Sequence, residues 1–228
     1  MIENITSLEF QNVSFQTDFG SILNGINLSI STGDIVWIQG DVGRGLILKI
    51  AAGLVKPTMG RCLINGKSIY EMTYEEFLPF RKSIGYGFAF GGLINSLTIK
   101  ENLQLYHQYH RTTNDDTQQT MKFMIELFQL QNYLNQYPIK VPGRVRKWTC
   151  LARTFIAQPS VILLDDPASA IGLPILNVLR NWIIEKQKST CMLISSDGPE
   201  LFNGLDYKKI YLKNGNIVSE EYHQQEVA

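Results

Sequence analysis

The stretch GDVGRGLI, Gly40 to Ile47, constrains this chain more than any other part of it. It follows an apolar run, Ile35 to Gln39, that reads as a strand. It opens a segment with helical spacing, Gly45 to Ala52, closed by Gly53 as a C-cap and by Pro57 soon after. Strand, glycine-rich turn and helix form the setting in which backbone N–H groups and a helix N-terminus cradle phosphate, in the pattern GxxxxGK followed by Ser or Thr. Gly40 and Gly45 stand at the two required glycines, Gly43 lies between them, and Asp41, Val42 and Arg44 fill the remaining positions. The lysine that reaches the phosphates is replaced by Leu46, and the hydroxyl that holds Mg²⁺ by Ile47. Neither side chain donates a hydrogen bond or ligates a metal. The glycine spacing alone also suits a plain tight turn. Arg44 is a candidate replacement cation; Lys49, almost a full turn further on and pointing away from the loop mouth, reads as a solvated helix charge.

Short strands surround this loop: Leu8 to Phe15, Ile22 to Ile30, and Arg61 to Ile64 before an Asn65-Gly66 hairpin turn. A helical section follows, with Met121, Met124, Ile125 and Phe128 at helical spacing across Thr117 to Leu130, and Asn114-Asp115-Asp116 as capping groups. The final third alternates helix and strand: helix Arg144 to Ala157, strand Val161 to Leu164, helix Pro174 to Lys186, strand Cys191 to Ser195, strand Lys209 to Leu212. That order predicts a parallel sheet with crossover helices. An Asn214-Gly215 turn closes a terminal hairpin, and EEYHQQEVA reads as a frayed end.

With 21 basic and 21 acidic residues, no net field draws the protein to nucleic acid or anionic lipid. Three widely spaced cysteines make neither a disulfide framework nor a metal cluster, which fits a reducing cytosol. No window of 18 uncharged apolar residues spans a membrane, and the start lacks an export signal, so any membrane association is expected to come through a partner. His107, His110 and His223 read as solvated surface.

Three strings carry a family resemblance: GDIVWIQGDVGRG running into IAAGLVKPTMGRCLINGKSI, then RKSIGYGFAFGGLINSLTIKENL, then VPGRVRKWTCLARTFIAQPSVILLDDPASAIG. In this order, from Leu8 to about Val218, they resemble the ATP-binding cassettes of ABC transporters. The resemblance implies an α/β fold: a phosphate-loop cassette with a mixed central sheet, an N-terminal antiparallel β subdomain and a helical subdomain at about 90–150, all within one nucleotide-binding domain over 1–228. It implies that Asp165 is the Mg²⁺-holding aspartate and that Asp166 replaces the glutamate that orients water, one methylene shorter. Ala89 takes the place of the metal-sensing glutamine, and Ser196, before Asp197, that of the switch histidine. Thr17 stands where an aromatic would stack on adenine; Phe19, two residues on, is a possible stand-in but reads as core or loop packing.

Cassettes of this family pair head to tail, each ATP lying between one loop and the partner's signature sequence. Here the signature reads VPGRV: Pro142 removes a hydroxyl and an N–H, Arg144 puts bulk where glycine lets backbone approach phosphate, and Gly143 alone is kept. Arg144 as a finger toward the partner's nucleotide is set against a plain surface arginine. Both composite sites of a dimer are therefore compromised. The expectation is a cassette with no cofactor, or with weakly bound ATP and Mg²⁺, that serves as a structural or regulatory subunit of a membrane transport complex on the inner face of the cell membrane. Its partners would be a second cassette and a membrane-spanning subunit, the latter touching Phe90, Gly91, Gly92, Leu93 and Ile94. The alternatives are an ATPase with atypical motifs and a soluble binding module. The string GGLINSLTIKENL is loosely like cassettes of bacterial lipid-trafficking systems.

Overall fold

In the computed structural model, which describes residues 3–110, 115–169 and 171–224, the chain opens with β1 (Ser7–Thr17) and β2 (Gly20–Ser31) as an antiparallel pair. Leu8, Phe10 and Val13 of β1 and Leu23, Ile26 and Ile30 of β2 are buried, as apolar alternation on one sheet face requires. The chain then crosses to β3 (Ile35–Gly40), passes through helix α1 (Arg44–Ala51) and returns through β4 (Met59–Ile64) and β5 (Lys67–Ser68). The first sheet has the order β2-β1-β4-β5. Asn65 and Gly66 both take positive φ, 49° and 76°, as a tight hairpin turn demands.

A capping box of Thr73 and Glu76 starts α2 (Tyr74–Arg81), which leads into β6 (Ile84–Gly87). Then come α3 (Ile99–His110), α4 (Asp115–Leu127) and α5 (Gly143–Ile156), with α3 and α4 both packed on α5. Strand β7 (Val161–Asp165), α6 (Leu173–Lys186), β8 (Cys191–Ser195), β9 (Tyr207–Lys213) and β10 (Asn216–His223) complete the chain. The second sheet has the order β10-β9-β3-β8-β7-β6; all neighbours are parallel except β9 and β10, so the central sheet is mixed. Strands β3, β7 and β8 are buried almost throughout because helices or the other sheet cover both faces. Helix α1 fills the space between the two sheets, while α5 and α6 cover the other face of the mixed sheet.

Several expectations need correction. Helix α2 and strand β6 were not foreseen; Pro79 inside α2 masks a helix that its capping box starts. Helix α4 begins at Asp115 and stops at Leu127 rather than Leu130, with Gln129 at φ 53°. Glu220 to His223 are not frayed: they pair with Tyr207 to Ile210, and His223 stacks on Tyr207 at 4.7 Å. His223 also has a carboxylate neighbour, Glu221, at 3.8 Å. His107 is not solvated: both ring nitrogens are buried with no hydrogen-bond partner among the described residues. Phe19 packs against nothing; it is fully exposed at the β1–β2 turn. Asn114, the side chains of His110, Asp115 and Asp116, and the last four residues lie outside the described parts.

Candidate functional site

The parallel strands β3, β6, β7 and β8 end on one edge of the sheet, at Gly40, Gly87, Asp165 and Ser195, the edge where open α/β sheets bind ligands. Gly40 must be glycine: its φ is 120°, and an added Cβ would lie 1.9 Å from the Leu212 carbonyl oxygen. That close approach lets the Asp41 N–H donate to Leu212 O at 3.2 Å, while Asp41 Oδ2 accepts from the Asn214 N–H at 3.1 Å. The loop is thus tied to the β9–β10 turn by its own second residue. Val42 is exposed, and Gly43, at φ 105°, caps α1.

Arg44 does not face an open phosphate position. Its guanidinium forks onto Asp197, with Nη2 donating to Oδ2 at 3.3 Å and a shorter bond from Nη1 to Oδ1. Asp197 is largely exposed, so this pair is worth about 1 kcal/mol at most. A Cβ on Gly45 would sit 2.8 Å from Asp165 Oδ2. Leu46 packs partly buried against the core between the sheets, and Ile47 belongs to that core with no exposed surface. Lys49 is exposed, as its position predicts.

At the strand ends, Asp165 Oδ1 accepts from Ser195 Oγ at 2.7 Å. Asp166 takes a left-handed φ of 45°, and its N–H donates to Ser195 O at 2.9 Å. Ser196 is buried; its hydroxyl lies 3.4 Å from the Gly198 carbonyl, and its own carbonyl accepts from Trp37 Nε1 at 2.8 Å. Gly40 to Ile47, Asp165, Asp166 and Ser196 are therefore brought to one edge. At the signature, Pro142, Gly143 and Arg144 start α5 and are all exposed.

The segment between β6 and α3 forms a second part of the site. Phe90 is 85% exposed and Ile94 44%; Gly91 and Gly92 take positive φ, and Leu93 packs inward on the helical core. Sequence reasoning missed what holds this segment. Asn102, fully buried on α3, accepts from the Ile94 N–H at 2.8 Å, and the two hydrogens of its amide nitrogen are shared among the carbonyls of Ile94, Leu97 and Thr98 at 3.0–3.1 Å. From α5, Cys150 Sγ donates to Gly91 O at 2.9 Å and Arg153 Nη2 donates to Gly92 O. Lys147 Nζ donates to the carbonyls of Phe88 and Ala89, both at 3.0 Å, and of Asp165 at 3.3 Å. Burial pulls the Lys147 ammonium below the usual lysine pKa, while Asp166, Cys150 and Asp165 pull it back up. The available signal was the spacing: residues 147, 150 and 153 share one side of a helix otherwise apolar toward the core.

A glycine-rich loop leaving a central parallel strand, a helix starting on it and an acidic strand end beneath it define a phosphate-loop type of α/β cassette. The chain belongs to the ABC transporter family, whose family model matches residues 23–169. It is 28% identical over 217 residues to a probable sulfate/thiosulfate import ATP-binding protein CysA of Chlorella vulgaris, covering 93% of this chain and 89% of that one. It is 29% identical over 186 residues to the lipoprotein-releasing system ATP-binding protein LolD of Buchnera aphidicola subsp. Acyrthosiphon pisum, covering 79% and 82%. Against CysA of Synechocystis the identity is 28%, but the chain spans only 59% of that protein. The dimeric post-hydrolysis structure of the cassette MJ0796 bound to ADP and Pi superposes with a TM-score of 0.83 at 24% identity, covering 96% of this chain and 99% of that one. That likeness bears on the fold, including the antiparallel sheet and the helical elements. Among the described residues, no helix is long and apolar enough to cross a membrane.

Proposed function

We propose that this chain is a degenerate ATP-binding-type subunit, one unit over residues 1–228, that serves a membrane transport complex through its shape and not by hydrolysing ATP. The observation that carries this reading is the state of the loop. The two side chains that would meet phosphate and Mg²⁺ are apolar, and Ile47 is packed in the core. Arg44 and Asp41 are occupied by Asp197 and the Asn214 N–H. These residues do not fit MgATP, because no ammonium or hydroxyl at Leu46 or Ile47 answers the charge of its phosphates. The loop holds its form through its own contacts, which is what a subunit kept for its shape needs.

A titration with MgATP tests this directly. A working loop saturated a hundredfold above its Kd would add about 2.7 kcal/mol, raising Tm by about 5–11 °C in a chain of this size. No rise is expected. Micromolar binding, or turnover that Asp166→Ala abolishes, would establish an atypical ATPase in its place.

The membrane-spanning partner is expected to dock on Phe90 and Ile94. Phe90 is an exposed aromatic set on a segment fixed by hydrogen bonds from beneath, the arrangement of a binding anchor. Phe90→Glu is expected to abolish co-purification with the membrane subunit while changing stability by no more than about 0.5 kcal/mol, since the side chain is exposed. Undiminished co-purification would move the partner contact elsewhere, and a chain that meets no membrane protein at all would be a free binding module.

A further inference from the structure

Lys147 is the one lysine buried among the described residues, at 8% exposure. A buried ammonium is tolerated only when its three donors are matched. Here all three are: the carbonyls of Phe88 and Ala89 at 3.0 Å belong to the two residues that follow β6, and that of Asp165 at 3.3 Å ends β7. The same side of α5 continues with Cys150 on Gly91 and Arg153 on Gly92. Four of the five carbonyls from Phe88 to Gly92 are thus held by one row of α5 side chains.

The carboxylates of Asp165 and Asp166 lie near enough to act on this ammonium. The row therefore ends on an ammonium beside the end of β7, where Asp165 closes the strand, Asp166 follows it, and the loop at Gly45 lies against the Asp165 carboxylate.

We propose that Lys147 is a permanently tethered cation that locks residues 88–92 onto α5 and the end of β7, so that the Phe90 surface is presented in one conformation with or without nucleotide. The lock itself follows from the bonds of Lys147; its meaning for a partner rests on the reading of a cassette kept for its shape. An apolar substitute removes the donor of all three carbonyls, and a shorter amide cannot replace all three bonds of the ammonium.

Amide hydrogen exchange on the full chain, without nucleotide, tests the lock. In Lys147→Met, amides from 88 to 95 are expected to exchange at least tenfold faster, while those of β1 and β2 keep their wild-type rates. Lys147→Gln, neutral but polar, serves under the same criterion if the Met variant does not fold. Unchanged exchange at 88–95, or acceleration spread equally over β1 and β2, would overturn the proposal. The outcome is separate from ATP binding: wild-type protein that binds MgATP would refute the reading of the loop and leave the lock standing.

Discussion

Ile47→Thr is expected to lower Tm by about 6–12 °C, and MgATP is not expected to restore any of it. The substitution returns the hydroxyl of a working phosphate loop to its position, yet the site has become part of the core. Ile47 has no exposed surface and packs among Leu48, Ile50 and the inner faces of both sheets. Trimming its side chain and burying an unmatched hydroxyl together cost about 3 kcal/mol. In a chain of this length each kcal/mol moves Tm by about 2–4 °C. Leu46→Lys is gentler, because Leu46 is only partly buried and a lysine stem lies along apolar surface while its ammonium reaches water. The double variant completes the motif on paper. It is still expected to gain no stability from MgATP, because Arg44 remains on Asp197, Ser196 remains buried, and Ala89 offers no amide. Differential scanning calorimetry with and without MgATP checks both statements. A double variant that MgATP stabilises by several degrees would mean that only two residues separate this loop from a working one.

The loop was legible in the sequence because its constraint falls on residue type: only glycine fits there, whichever distant group approaches. Gly40, Gly43 and Gly45 are needed where the backbone turns or approaches its neighbours, and each such need marks the residue itself: Gly40 against Leu212, Gly45 against Asp165. The parallel sheet was legible for a related reason, since apolar runs such as Val161 to Leu164 bounded by turns report burial on both faces. What escaped depends on partners distant in the chain. Lys147 sits in a helix where a lysine normally reads as solvent-facing, and its carbonyl partners lie 58 and 59 residues earlier. Arg44 raised the same difficulty: its charge was visible, but its commitment to Asp197, 153 residues on, was not. Phe19 was misplaced because an aromatic is ordinarily buried, whereas a two-residue excursion beyond β1 leaves it in water.

These distant contacts divide the edge of the sheet into two hydrogen-bonded parts. Asp41 and Arg44 fix the loop to the β9–β10 turn and to the segment after β8. Lys147, Cys150 and Arg153 fix residues 88–92 to α5. Asp165 belongs to both, with its carboxylate under Gly45 and its carbonyl on Lys147. A cassette that switches with nucleotide needs these parts to move against each other, which requires two arrangements of comparable energy. Here the groups named in each part are matched by other protein groups, which is what the proposed cassette kept for its shape requires.

Asn102→Ala is expected to destabilise the chain by about 3 kcal/mol and to loosen the proposed partner surface before the rest of the fold. The amide side chain is fully buried: its oxygen accepts from the Ile94 N–H at 2.8 Å, and the two hydrogens of its nitrogen are shared among the carbonyls of Ile94, Leu97 and Thr98 at 3.0–3.1 Å. Each bond contributes about 1 kcal/mol, and alanine leaves backbone groups buried without partners. Asn102 also accepts from Arg153 Nη1 at 3.4 Å, so its loss weakens the hold of α5 on Gly92. Hydrogen exchange should therefore accelerate first at 92–98, and co-purification with the membrane subunit should fall even at temperatures where the sheets remain folded. Asn102→Asp separates shape from bonding: it keeps the accepted bond from Ile94 N–H but sets a carboxylate oxygen against the carbonyls that the amide nitrogen served, and is expected to be at least as damaging as alanine. If the Asn102→Asp variant were as stable as wild type, the bonds to these carbonyls would contribute nothing, and the fixed geometry of Phe90 and Ile94 would have to come from α5 alone.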